Sequence, residues 1–419
     1  MSVQILDEAN RCLNCKKPVC QEGCPVHTPI PKVIRTFLDE GLEAAGEMLF
    51  ENNPLSVVCS LVCDHEKQCE GHCVLGRKSV PVHFSSIENY ISDTYLDQMT
   101  ISCAPKNGRM IAMIGSGPAS ISAAILLTKM GYDVTIFEAK DQIGGVLWYG
   151  IPKFRLPKDI LLRYKKKLRE IGVHIRPNTT IGGALQIDDL LRDGYESIFI
   201  GTGVWRPKKL GVKGESLGNV HFAIDYLANP DVYELGNEVV IIGAGNAAMD
   251  VARTARRAGV KKVTVYERAP KPNASPREVS YAKIDGVDII TAKDVVEITK
   301  DGPVFRDVHY GENGELLGFS EERTQVHADS TIVSISQLPK SKLVDNTKGL
   351  KATDKGLLQT DEKGETTIPG IFASGDVVNG AKTVVEAVAY SKKVVKAMDA
   401  YIRAKHGESV PEESDSKGN

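Results

Sequence analysis

The chain has 419 residues, enough for two or three domains with a sizeable core. Its 52 lysines and arginines against 54 aspartates and glutamates leave a formal charge of −2, with no basic excess for nucleic acid or an anionic membrane. The apolar runs are of strand length and the start, MSVQILDEANRC, carries acids and no apolar signal core. Neither a membrane-spanning helix nor secretion is expected, and the setting is read as cytoplasmic and reducing.

Residues 1–105 hold the nine cysteines, eight of them between Cys12 and Cys73, among short helical patterns such as PKVIRTFLDEGLEAAGEMLF. A reducing compartment argues against a disulfide framework and for metal. The first group reads Cys12-x2-Cys15-x4-Cys20-x3-Cys24-Pro25 and the second Cys59-x3-Cys63-x5-Cys69-x3-Cys73. Bacterial ferredoxins use C-x2-C-x2-C-x3-C-P, in which the fourth cysteine crosses to the other cluster. By that logic Cys12, Cys15 and Cys20 serve one iron–sulfur cluster and Cys24 a second. A pair of four-cysteine zinc sites is the rival, since the Cys12-x2-Cys15 step also suits zinc.

Residues 106–235 open with a βαβ pattern: the strand RMIAMIG, a glycine turn, the helix SISAAILLTKMG and the strand DVTIFE. The turn, Gly115-Ser116-Gly117-Pro118-Ala119-Ser120, carries two of the three glycines of a dinucleotide fingerprint, and Glu138 ends the second strand. Residues 236–325 repeat it with NEVVIIG, Gly243-Ala244-Gly245-Asn246-Ala247-Ala248, a helix, and KVTVYER ending in Glu267. The first glycine makes the tight turn and the second lets backbone approach a pyrophosphate at the helix N-terminus. The acid accepts from a ribose hydroxyl. Ser120 and Ala248 replace the third glycine and, being small, still allow close helix–strand packing. The chain is therefore expected to bind two dinucleotides.

Residues 326–405 run through the strand-like DSTIVSIS, the turn FASGD and a long helix from about Val384, and 406–419 read as a disordered polar tail. In flavoproteins with two dinucleotides the first site holds FAD and a late segment returns to complete it. Here Ala139, Gly144-Gly145 and Val146 follow Glu138. Gly375 and Asp376 would reach the ribityl or pyrophosphate region, and the helix start at Thr383 and Val384 the flavin carbonyl. The second site, with Glu267, Arg268 and the Ser334-Ile335-Ser336 segment, is left for NAD.

In combination, CLNC…CQEGCPVHTPI, NNPLSVVCSLVCDHEKQCEGHC, GVLWYGIPKFRLPK, GAGNAAMDVARTA and ASGDVV resemble the glutamate synthase small subunit. They are equally similar to the electron-input half of dihydropyrimidine dehydrogenase, and to the large subunit of an electron-bifurcating ferredoxin–NADP transhydrogenase. The resemblance spans residues 5–400. It implies an α/β protein: an N-terminal α-helical domain with two 4Fe-4S clusters, then two Rossmann-like domains of the disulfide-reductase type for FAD and NAD(P). It also implies a ligand set. Cys73 joins Cys12, Cys15 and Cys20 on one cluster; Cys24, Cys63 and Cys69 hold the other with Glu88. Cys59 matches a cysteine that is not a ligand, Arg155 a residue near the FAD, and Ile181 one beside its adenosine.

Electron counting supplies the expected chemistry: a hydride passes from nicotinamide to flavin, and single electrons pass on to clusters. No general base or nucleophile is called for, and the scattered histidines are read as structural. The chain closes after the FAD-completing helix, so it is expected to feed a partner reductase subunit that docks on the iron–sulfur domain. An NAD(P)H:ferredoxin oxidoreductase, electron-bifurcating or not, is the alternative, and a nucleotide-binding scaffold without redox activity is one of another class. The relatives end the second strand of the nicotinamide domain in a pattern like VTVVYRR, whose arginines meet the 2′-phosphate of NADP. This chain has Tyr266-Glu267-Arg268-Ala269 there, and the relatives' MPGSR-like segment becomes Asn273-Ala274-Ser275-Pro276-Arg277. NADH is therefore expected over NADPH, unless Arg268 and Arg277 gather the phosphate while Glu267 faces solvent.

Overall fold

The structure, a computed structural model, describes residues 2–409; the expected disordered tail beyond them, 410–419, lies outside the described residues. The chain forms two compact units. The first comprises residues up to Gly145, Lys158–Val204 and the chain from Pro339 on, and the second Val146–Pro157 and Trp205–Leu338. The segments expected as 106–235 and 326–405 each contribute residues to both.

The first unit begins with helices whose apolar spacing explains them. In Ile30–Asp39, Ile30, Val33, Ile34 and Phe37 recur at helical spacing and are buried, and Pro31 sits in the first turn, where its missing N–H costs nothing. Leu42–Asn52 buries Ala45 and Leu49, and Phe84–Gln98 buries Ile87 and Ile91. These side chains share one core with Ala9, Cys69, Val82 and Phe84.

The rest of this unit is built on a parallel sheet in the order Ile371–Ala373, Tyr195–Ile200, Met110–Ile114, Asp133–Phe137, His174–Arg176. The central strand, MIAMI, is covered on both faces, which is why it is an unbroken apolar run. Pro118–Lys129 follows it, and the Val384–Lys405 helix packs on that helix. At the end of the chain's described part, Glu408 pairs with Arg109, so the first residues of the expected tail are held.

The second unit repeats the plan. Its parallel sheet runs Val220–Phe222, Ser330–Val333, Glu238–Ile242, Lys262–Tyr266, Val287–Ile290, with the glycine-loop strand again in the middle. Asn246–Arg257 supplies Ala248, Met249, Val251, Ala252 and Ala255 to the core beneath it. An antiparallel trio, Lys293–Thr299, Gly302–Tyr310 and Leu316–Gln325, is added after the fifth strand, with irregular register in both pairings. This trio was not read from the sequence, although GENGE between two β-rich runs is a hairpin signal.

Candidate functional site

The two glycine turns are the same device built twice. Gly115 has φ 94°, and a Cβ there would lie 2.7 Å from the Gly201 carbonyl oxygen, at the end of the neighbouring strand. Gly243 has φ 104°, and its Cβ would lie 2.3 Å from the Ser334 carbonyl oxygen and 3.2 Å from Ile335. Only glycine fits at either turn. The second glycines differ: a Cβ on Gly245 would meet nothing within 4 Å, and one on Gly117 only the Gly201 oxygen at 3.9 Å. Each therefore borders open space at the N-terminus of a 12-residue helix, where backbone N–H groups and the helix dipole favour a pyrophosphate. The residues fit two dinucleotides.

The acids close each loop in the same manner. Glu138 accepts from Ser116 N at 2.9 Å and Lys140 N at 2.8 Å, and also takes the Ser116 hydroxyl. Glu267 accepts from Ala244 N at 2.8 Å and Ala269 N at 3.0 Å. Both carboxylates are buried, and lone pairs remain for ribose hydroxyls. Ser120 fills the third-glycine position by packing its hydroxyl against Gly201, and Ala248 is fully buried.

Around the first loop, Gly144 N donates to the Ser116 carbonyl, and Ile181 is buried in the same core as Ile114 and Phe137. Ala139 is exposed beside Glu138. Gly375 packs on Ala119, and Asp376 accepts from Lys382 N at 3.2 Å. Burial, reinforced by Glu386, pushes Asp376 up to about 6 against that hydrogen bond. Thr383 caps the long helix: its Oγ1 accepts from Glu386 N, and the Glu386 carboxylate accepts from Thr383 N. Val146 and Arg155 belong to the second unit.

Arg155 there bonds Asp250 Oδ2 at 2.6 Å and Glu278 Oε1 at 3.3 Å; Arg253 reaches the same Glu278 at 3.2 Å and Asp285 at 3.0 Å. Burial raises Asp250 to about 7, opposed by Arg155. Sequence reading missed this buried cluster. Its signal was Asp250 on the apolar face of GNAAMDVARTA. In the second loop Asn246 accepts from Ser275 N, Ala247 is half-buried at the helix start, and Ser336, with φ 97°, accepts from Lys208 N. Arg268 is exposed, lies over Phe319 and is 3.7 Å from Asp294, which also binds Arg306 at 2.7 Å.

The cysteines fall into two groups. Cys12, Cys15, Cys20 and Cys73 line one cavity, closed by Ile30, Ile34, Val82 and Phe84, with Cys69 at its wall. Burial and the neighbouring Cys73 push Cys20 up to about 11. Glu88 acts electrostatically on Cys24, Cys63 and Cys69; burial raises Cys24, Cys69 and Glu88, while Cys63 is raised first by its hydrogen bond with Cys59 and then by burial. Cys59 belongs to this neighbourhood too, hydrogen-bonded to Cys63. Glu88 lies on the buried face of its helix between Ile87 and Ile91. Among the described residues no hydrogen bond reaches its carboxylate. A buried acid without a partner is costly unless a ligand takes it up. Among the described residues no three His, Cys, Asp or Glu side chains are gathered to hold a single metal ion. Thiols set around a cavity suit the larger body of a cluster better than one zinc.

A helical cysteine-rich domain ahead of two glycine-loop sheets defines an oxidoreductase that uses flavin, nicotinamide and iron–sulfur centres. The chain belongs to the pyridine nucleotide-disulphide oxidoreductase family, which matches residues 109–391, and residues 1–100 match the domain described as dihydropyrimidine dehydrogenase domain II, 4Fe-4S cluster. The glutamate synthase (NADPH) small chain of Escherichia coli K12 is 31% identical, over 92% of this chain and 89% of its own. The NAD-dependent dihydropyrimidine dehydrogenase subunit PreT homolog of Salmonella typhi is 33% identical, over 95% and 94%. Among solved structures, Mycobacterium tuberculosis FprA in complex with NADPH shares the fold at 18% identity, with TM-score 0.59 over 74% of this chain and 88% of that one. T. acidophilum thioredoxin reductase does so at 21% identity, with TM-score 0.53 over 71% and 99%. The resemblance read from the motifs is thereby borne out, as are the fold class and the flavin and iron–sulfur character. Among the described residues no helix is long and apolar enough to cross a membrane.

Proposed function

We propose that this chain takes electrons from NADH at the Gly243 loop and passes them, by way of FAD at the Gly115 loop and two 4Fe-4S clusters, to a partner reductase subunit. The observation that carries this reading is the cavity lined by Cys12, Cys15, Cys20 and Cys73, together with the unpartnered Glu88 acting on Cys24, Cys63 and Cys69, in the same compact unit as the Gly115 loop. FAD held at the Gly115 loop would supply the conversion between two-electron hydride transfer from a nicotinamide and the single-electron transfer that 4Fe-4S clusters carry. The chain's own residues bind and orient. The loop N–H groups hold pyrophosphates, Glu138 and Glu267 hold ribose, and Asp376 and the N-terminus of the Val384–Lys405 helix face the flavin.

The relatives' names include both nucleotides, so the choice rests on Glu267. Its buried carboxylate at the loop favours a ribose 2′-hydroxyl and repels a 2′-phosphate, while Arg268 is drawn toward Asp294. A partner is supported by the first cysteine group's outer face. There Leu13 is 61% exposed and Val19 36% exposed, beside Lys16 and Lys17. The test is iron and acid-labile sulfide analysis of anaerobically purified protein, with about eight of each expected per chain. Stoichiometric zinc, or iron near half that value, would overturn the assignment. The same preparation should oxidise NADH with viologens or ferricyanide and should not by itself reduce a pyrimidine or make glutamate.

A further inference from the structure

Cys24 is the proposed ligand whose surroundings lead out of the helical domain. Thr28, four residues on and buried, places Oγ1 3.3 Å from Cys24 Sγ. That oxygen already accepts from Asn52 Nδ2 at 3.0 Å, so the lone hydroxyl proton of Thr28 is left for the sulfur. Asn52 ends the Leu42–Asn52 helix, and its carbonyl accepts from Lys392 Nζ at 2.7 Å. Lys392 is half-buried on the Val384–Lys405 helix, the one whose start faces the flavin site, and Cys24 lies within its electrostatic reach. With Cys24 a thiolate ligand, Thr28 is the donor of that contact, as Asn52 is to Thr28 and Lys392 to Asn52. Among the described residues no other cysteine of the two groups receives a side-chain hydroxyl; Arg35, near Cys12, donates to its carbonyl instead.

We propose that Lys392, Asn52 and Thr28 form a polar relay that raises the reduction potential of the cluster held by Cys24, drawing electrons from the flavin site into that cluster. This rests on the reading of Cys24 as a ligand of the second cluster. A reduced cluster carries one more negative charge than the oxidised one. A hydroxyl donor on its thiolate and a fixed cation behind it therefore favour the reduced form. Lys392 holds Asn52 by its backbone carbonyl while the separate side-chain amide of Asn52 holds the Thr28 hydroxyl, so Lys392 acts on the cluster by its charge and by fixing Asn52 in place. These are positioning residues: they touch a ligand or each other.

The test is a redox titration followed by electron paramagnetic resonance on anaerobically purified, iron-replete protein. Thr28→Val and Lys392→Met should each move the midpoint of one and the same cluster to more negative potential and leave the other in place. Thr28→Ser and Lys392→Arg should return it toward the wild-type value, which a purely structural role would not require. If Thr28→Val loses iron, Lys392→Met decides, since it removes no group in contact with a cysteine. Midpoints unmoved in iron-replete Lys392→Met, or moved equally for both clusters, overturn the relay. Failure of the underlying reading shows separately: Cys24→Ser would then keep both cluster signals.

Discussion

Glu267 holds two backbone N–H groups, those of Ala244 and Ala269, and so sits at the mouth of the second loop. A 2′-phosphate placed there meets a carboxylate without the paired arginines that would bind it. The penalty is worth about 2–3 kcal/mol, or roughly thirtyfold to a hundredfold in affinity. NADH should therefore show the higher kcat/KM in steady-state assays, and Glu267→Ala should narrow the gap; a preference for NADPH in the unaltered chain would show this use of Glu267 to be wrong. The cysteines make a second residue-level test. Cys59 is hydrogen-bonded to Cys63, yet Glu88 is the group without a partner. Cys59→Ser should leave the iron content unchanged, whereas Glu88→Ala should lose about half of it. Arg155 gives a third: removing it strands Asp250, whose Oδ1 is already unpartnered, and leaves Glu278 to Arg253. Arg155→Met should cost about 3 kcal/mol in chemical denaturation, the usual loss when half of a buried pair is removed.

At the level of elements, the Val384–Lys405 helix and the turn before it determine how the first dinucleotide site closes. Thr383 and Glu386 cap each other's backbone, so Thr383→Ala should destabilise the fold by about 1 kcal/mol, readable as a lower midpoint in urea. Asp376 adds a pH dependence. Burial lifts it from 3.8 to about 6, so between those values the native state binds more protons than the unfolded one. Stability from this group is therefore greatest below that window and falls as pH rises through it. Asp376→Asn should gain relative to the unaltered apoprotein by on the order of 2 kcal/mol on going from about pH 4 to pH 7, and should retain flavin less well. A pH-independent difference would count against the burial of this carboxylate. The sequence showed these elements unevenly. Met110–Ile114, Glu238–Ile242 and their helices stand out because covered parallel strands are apolar runs that end at a glycine. The Lys293–Gln325 ribbon has a largely exposed, charged last strand and irregular register in both pairings, so its alternation is blurred.

Across the whole molecule, desolvation raises the thiols of Cys20, Cys24 and Cys69, so they hold their protons until a metal displaces them. Cluster assembly should raise the melting temperature, and the gain should shrink as the pH is lowered; calorimetry of apo and reconstituted protein measures both. The sequence by itself determined the two glycine loops, their acids, the cysteine spacing and the family. Each is a local pattern in which backbone geometry or metal chemistry demands particular residues at fixed separations. Only the tertiary structure decided which distant groups share a site. It brought Cys73 to Cys12, left Glu88 unpartnered in a core, seated Arg155 on Asp250 and joined Lys392 to Cys24 through Asn52 and Thr28. Those pairings span tens to hundreds of residues and follow from how helices and sheets pack, which no local spacing encodes.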